Sequence, residues 1–152
     1  MPKSKHRKKP VQRGQKTSPQ ITKSNQTMPK GIYTEYLDKN LNFEQLTQER
    51  KKQLQRISQL RGGRDVLVFA SDFKKSQAPI SITYSDLLPI NDQLSVLKSN
   101  KLDLILETPG GLGEVAEDIV KLMRSQFDEV GVIIPGWCKS AGTLIAMAGE
   151  KF

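Results

Sequence analysis

The sequence predicts an α/β fold built on a parallel sheet, and three observations carry that prediction. Residues 102–107 and 130–134 are apolar runs of strand length, each followed by a short turn and then a helical segment. Residues 65–70, Asp-Val-Leu-Val-Phe-Ala, form a third run whose near-continuous apolarity is the pattern of a strand covered on both faces. The alternation strand–helix–strand–helix demands crossover connections, and crossovers join parallel strands with a right-handed sense.

Taken in order, residues 43–60 read as a helix, with Phe43, Leu46, Leu54, Ile57 and Leu60 mostly on one stripe. Its middle, 48–53, is heavily charged and is expected to face solvent or a partner, and Gly62-Gly63 ends it. Residues 71–81 are loop-like and include Pro79. Residues 86–97 read as a helix with Pro89 early and Leu87, Leu94 and Leu97 on one side. After the strand at 102–107 comes a glycine turn over 108–112, then an amphipathic helix over 114–127 that points Val115, Ile119, Leu122 and Met123 inward. The strand at 130–134 passes through a turn at 135–139 into a helix at 141–148 that is apolar nearly all round, as expected of a buried one. The chain stops at Gly149-Glu150-Lys151-Phe152, where another strand is expected, so the domain reads as truncated.

Charge divides the chain. Net charge is +8 over 152 residues, with 36% hydrophobic residues. Residues 1–30 hold nine Lys or Arg, the single His (His6), four prolines and no Asp or Glu. The remaining 122 residues then carry fifteen basic against sixteen acidic side chains, a net of −1. The expected organisation is a disordered basic tail at 1–30, a helical segment at 31–63, and the main domain at 64–152. Such a tail is suited to nucleic acid, an anionic membrane or an acidic partner. No apolar h-region follows the basic start and no run is long enough to span a bilayer, so the expected location is the cytoplasm, with peripheral membrane attachment as an option through the tail. One cysteine, Cys138, excludes an internal disulfide.

Two junctions carry the chemistry. At Thr108-Pro109-Gly110-Gly111-Leu112-Gly113 a glycine turn leaves backbone N–H groups free to hold an anion, and at Lys139-Ser140-Ala141-Gly142-Thr143 a serine stands at a helix start. A nucleophile beside an oxyanion hole is the minimum equipment for acyl transfer. The stretch 111–116 also fits the dinucleotide pattern G-x-G-x-x-A, yet the next strand ends Ile133-Ile134-Pro135-Gly136-Trp137 without the acidic residue a ribose needs. Cys138 is a weaker nucleophile candidate because it lies in the turn rather than at the helix start. Both motifs have plain structural readings: the glycines make a sharp turn, and Ser140, Ala141 and Gly142 let a buried helix pack closely.

Together the motifs resemble a known family. Residues 66–150 are similar to the serine dehydrogenase proteinase family of the Clp protease/crotonase superfamily, related to the signal peptide peptidase A group. The resemblance rests on Glu107-Thr-Pro-Gly-Gly, on Ala116-Glu-Asp-Ile-Val120, on the Pro135 turn, and on Lys139-Ser-Ala-Gly-Thr143 running into Leu-Ile-Ala, with Gly111 and Ser140 29 positions apart. It implies a Clp/crotonase-like fold of stacked strand–helix units and a serine peptidase that needs no cofactor and no metal. It also implies Ser140 as nucleophile, the N–H groups of Gly111 and Ala141 as the oxyanion hole, and a homo-oligomer acting on a peptide or protein substrate. The general base is unassigned: such families place a His or a Lys downstream, only twelve residues follow Ser140, and Lys139 is expected to face away from it. By this reading the 152-residue chain alone is weak or inactive. The alternatives are a truncated, non-catalytic interaction protein acting through its basic tail, and a crotonase-like acyl-thioester binder in which Ser140 is idle.

Overall fold

The computed structural model describes residues 31, 34–73 and 80–150, so the expected disorder of the tail at 1–30 lies outside the described residues. The chain divides into two units, Met1–Asn40 and Leu41–Phe152. In the first, a short helix α1 (Thr34–Asp38) carries Tyr36 with the Lys39 ammonium 4.9 Å above its ring.

The second unit is organised around one central strand. Three parallel strands, β1 (Asp65–Ala70), β2 (Lys101–Glu107) and β3 (Glu129–Ile133), form a sheet in the order β1-β2-β3. Helices α2 (Phe43–Leu60), α3 (Leu87–Ser95), α4 (Gly113–Gln126) and α5 (Ala141–Met147) alternate with them, which is the α/β architecture the sequence predicts. Leu102, Leu104 and Leu106 alternate along β2 and are at most 2% exposed. They are enclosed by Ile90 and Leu94 of α3, by Val115, Ala116, Ile119 and Met123 of α4, and by Ala141 and Ile145 of α5. Each large aliphatic side chain fully buried there contributes about 1.5–3 kcal/mol.

Local chemistry sets the element ends. Asn42 caps α2 reciprocally: its side chain accepts from the Gln45 N–H at 2.9 Å and its own N–H donates to Gln45 Oε1 at 3.0 Å. A 3₁₀ turn at Tyr84–Asp86 precedes α3, so the helix starts at Leu87 rather than at 86; the Asp86 carboxylate accepts from the Thr83 N–H at 2.7 Å.

Three expectations about burial are corrected. β1 is covered on one face only: it is an edge strand, the core helices pack on one side of the sheet, and Val68 is 45% exposed. The last helix is one-sided rather than buried all round, because Ala141, Gly142 and Ile145 face the core while Leu144 and Met147 are exposed. The α2 stripe is only half engaged, with Leu54 and Ile57 partly covered and Phe43 and Leu60 open to solvent.

At the start of the sheet the charges are paired. Buried Asp103 accepts from Arg61 Nε and from Arg64 Nε, both at 2.7 Å, while Arg64 also reaches Glu129 at 2.7 Å and the Leu102 carbonyl at 3.1 Å. Lys101 closes the chain of charges on Glu129 at 2.7 Å. Arg61 is the C-cap of α2, so this network fastens that helix to the middle strand.

Candidate active site

Both chemistry-bearing turns emerge from the carboxyl end of the sheet and are laced together by main-chain bonds. Thr108, just past β2, donates its N–H to the Trp137 carbonyl at 2.8 Å and accepts from the Lys139 N–H at 3.1 Å. These bonds form a parallel bridge between Thr108 and Cys138. The Thr108 hydroxyl accepts from the Gly110 N–H at 3.1 Å, which folds the turn back on itself.

The two motifs are packed directly against each other at Gly110. This residue has φ +98°, and a β-carbon there would stand 2.5 Å from the Lys139 carbonyl and from Ser140 Cβ, and 3.1 Å from the Ala141 nitrogen. Only glycine allows that backbone and that approach. Gly111 is held from the other side: the Ile82 N–H donates to the Gly110 carbonyl at 2.8 Å and the Leu112 N–H donates to the Ile82 carbonyl at 3.0 Å. A β-carbon at Gly111 would collide with the Ile82 main chain. Ile82, 1% exposed, is thus a clamp on the glycine turn. The sequence reading left it unassigned, and its one signal was an apolar residue between loop and helix.

Ser140 sits in strained backbone. Its φ of 51° and ψ of −126° lie where non-glycine residues are rarely found, immediately before α5. The residue is exposed, and its Oγ has no hydrogen-bond partner among the described residues. Its carbonyl accepts from the Thr143 N–H at 2.8 Å. Neither the Gly111 N–H nor the Ala141 N–H has an acceptor among the described residues. Two donors and a hydroxyl without partners among the described residues thus lie on the two turns that Gly110 packs together.

The other candidates are directed elsewhere. Cys138 points inward, so that a β-carbon on Gly142 would stand 3.0 Å from its sulfur, and burial pushes the Cys138 thiol up, which keeps the thiolate scarce. The Lys139 ammonium lies 4.4 Å from the centre of the Trp137 ring, engaged in a cation–π contact. His6 and Lys151 lie outside the described residues. Among the described residues no group of three or more His, Cys, Asp or Glu side chains is placed to hold a metal ion, and no helix is long and apolar enough to cross a membrane.

Comparison with known proteins places the chain in a family. Residues 32–152 match the family described as ClpP-like SDH-type serine proteinase. The chain is 30% identical over 118 residues to an uncharacterized protein of Methanocaldococcus jannaschii, covering 73% of this chain and 41% of that one. It is 32% identical over 79 residues to a second protein of the same organism, covering 47% and 27%. The chain therefore spans about two fifths of the length of the first of these relatives, 41%. Among solved structures it is similar to the ClpP protease catalytic domain from Plasmodium falciparum, with a TM-score of 0.50 and 14% identity over 74% of this chain and 55% of that one. It is also similar to ClpP1 from Listeria monocytogenes, with a TM-score of 0.47 and 20% identity over 63% and 51%. At 14% identity the likeness to the Plasmodium structure is one of fold.

Proposed function

The chain belongs to the ClpP-like SDH-type serine proteinase family, and from that premise we propose that it hydrolyses peptide bonds through an acyl-enzyme on Ser140. The observation that supports the reading is the seating of Gly110 against Ser140 and the Ala141 nitrogen, which packs the glycine turn onto a serine in strained backbone. Ser140 Oγ attacks the carbonyl carbon of the scissile bond, and the two N–H groups hold the oxyanion that forms. Collapse expels the amine, and water then releases the acyl group from Ser140. The serine proton needs a base, and none of the described residues hydrogen-bonds Ser140 Oγ. A Lys or His in that role fits the family chemistry.

Self-association is part of this reading. Leu112, in the glycine turn, and Leu144, whose Cδ1 comes within 3.8 Å of where a β-carbon on Gly113 would be, are 46% and 51% exposed, apolar surface suited to cover by further protein. The second reading, a non-catalytic interaction protein, is favoured by one feature, the nine positive and no negative charges of residues 1–30. Acyl-thioester binding with an idle serine fits less well, because strained backbone at Ser140 has no purpose there.

A fluorophosphonate probe tests the assignment. Labelling of this chain is expected to be slow and confined to Ser140, since an unactivated hydroxyl beside an oxyanion hole keeps only a small part of a hydrolase's acceleration. Ser140→Ala abolishes it and Cys138→Ser leaves it unchanged. Labelling that survives Ser140→Ala overturns the nucleophile.

A further inference from the structure

On the sheet face opposite α4 and α5, beside the two turns, lies a recess of about 360 Å³ lined by Ser71, Asp72, Phe73, Glu107 and Trp137. Its walls are the immediate neighbours of the candidate site: Glu107 precedes the Thr108-Pro109-Gly110-Gly111 turn, and Trp137 stands three residues before Ser140. The volume suits one side chain rather than a whole cofactor. A larger groove of about 600 Å³ between α3 and α4, lined by Leu87, Leu88, Asp118 and Leu122 among others, includes no residue of either turn.

We propose that this recess is a subsite for a cationic side chain, lysine or arginine, of the peptide that Ser140 cleaves. The proposal rests on the peptidase reading above, and three observations carry it. Glu107 is half-buried, its Oε1 sits 2.6 Å from where a β-carbon on Gly136 would be, and it has no hydrogen-bond or ion-pair partner among the described residues. A carboxylate removed from bulk water and lacking a cation is the group that gains most from an incoming one. Asp72 already has a partner, so Glu107 supplies the free charge.

The aromatic wall is the second observation. Phe73 and Trp137 meet at 5.4 Å between ring centres with planes tilted by 56°, which fixes the indole edge of the recess. The third is that Trp137 already accepts a cation, since the Lys139 ammonium lies 4.4 Å from its ring centre. An aliphatic stem lying along the two rings with its charged head on Glu107 satisfies both parts of the recess. The tether is firm: the Ser71 N–H donates to the Glu107 carbonyl at 2.8 Å, and the Thr108 N–H donates to the Trp137 carbonyl at 2.8 Å.

Trp137 is the one tryptophan in the chain and reports on the recess directly. The full chain is titrated with the N-acetyl methylamides of lysine, arginine and norleucine while Trp137 fluorescence is followed. The cationic probes are expected to saturate with affinities at least about fivefold tighter than norleucine, the size of a partly exposed charge pair aided by an aromatic face. Glu107→Gln removes that preference, and Glu107→Asp, which keeps the charge, retains most of it and shows that loss in the Gln variant is not loss of folding. Equal binding of lysine and norleucine probes, no saturable signal, or an unchanged preference in Glu107→Gln overturns the subsite. Ser140→Ala is expected to bind the lysine probe as the parent does. A chain that binds the cation selectively but whose fluorophosphonate labelling survives Ser140→Ala therefore retains the subsite and loses the peptidase reading.

Discussion

The two ends of β2 are built on opposite plans. At its start every charge has a partner: Asp103 holds two guanidinium groups at 2.7 Å, and Arg64, Glu129 and Lys101 continue the chain of contacts. At its end the polar groups are left open. Gly111 and Ala141 keep N–H groups without acceptors, Ser140 keeps a hydroxyl without a partner, and Glu107 keeps a carboxylate without a cation, all among the described residues. The backbone differs in the same sense, with positive φ at Gly110, Gly111 and Ser140. One end consumes its polar groups in folding, and the other leaves them without partners among the described residues.

The largest expected effect breaks the paired end. Asp103→Ala leaves Arg64, 8% exposed along its side chain, without the carboxylate that its Nε bonds. Removing one partner of a buried pair costs about 3–5 kcal/mol, and urea denaturation is expected to show a loss of that order. A loss under about 1 kcal/mol, the figure typical of exposed pairs, would falsify the idea that this network fastens α2 to the sheet.

Gly110→Ala attacks the open end at its closest contact. The added methyl meets the Lys139 carbonyl and Ser140 Cβ at 2.5 Å, so one turn must move. Strain and overpacking together are expected to lower stability by about 2–3 kcal/mol, less than Asp103→Ala, while fluorophosphonate labelling of Ser140 falls below detection. Retained labelling at unchanged rate refutes the claim that Gly110 sets the position of the serine.

How much of this was legible in the sequence follows from which interactions are local. The strands and α4 were readable to within a residue or two, because apolar runs and a 3.6-residue period are written into contiguous sequence. The adjacency of the glycine and serine turns was also legible, since both follow strands of one parallel sheet and such turns gather at the same end. Burial was misjudged wherever it depended on the number of layers. Val68 and Leu144 look like core residues in sequence, and each is exposed, Val68 on the edge strand and Leu144 on the side of α5 turned away from Ala141 and Ile145. The Ile82 clamp and the Phe73–Trp137 recess were invisible for a related reason: each joins segments about 30 or more residues apart that share no pattern.

Strain at Ser140 gives a smaller and more specific test. A residue at φ 51° and ψ −126° suits glycine better than any side chain. Ser140→Gly is therefore expected to be more stable than Ser140→Ala by about 1 kcal/mol, although glycine ordinarily costs about 0.5–1 kcal/mol relative to alanine. If the glycine variant melts below the alanine variant, the serine is not strained and the contrast between the two ends loses its backbone component.

The smallest effect concerns acid. Lys101 foremost, and then Arg64, hold the Glu129 carboxyl below the usual carboxylate range through hydrogen bonds at 2.7 Å. A carboxylate whose pKa is depressed by folding contributes stability above its unfolded value, and that contribution disappears as pH falls through the folded one. The chain is thus expected to lose part of its stability on acidification through and below the ordinary carboxylate range. Glu129→Gln should be less stable than the parent at neutral pH and should show a shallower acid loss, so that the two curves converge at low pH. Because Glu129 is 39% exposed along its side chain, added salt should shrink the difference as well. Parallel pH curves for the two proteins, offset but never converging, would mean that Glu129 acts through packing and not through its charge, and the start of β2 would then be held by Asp103 alone.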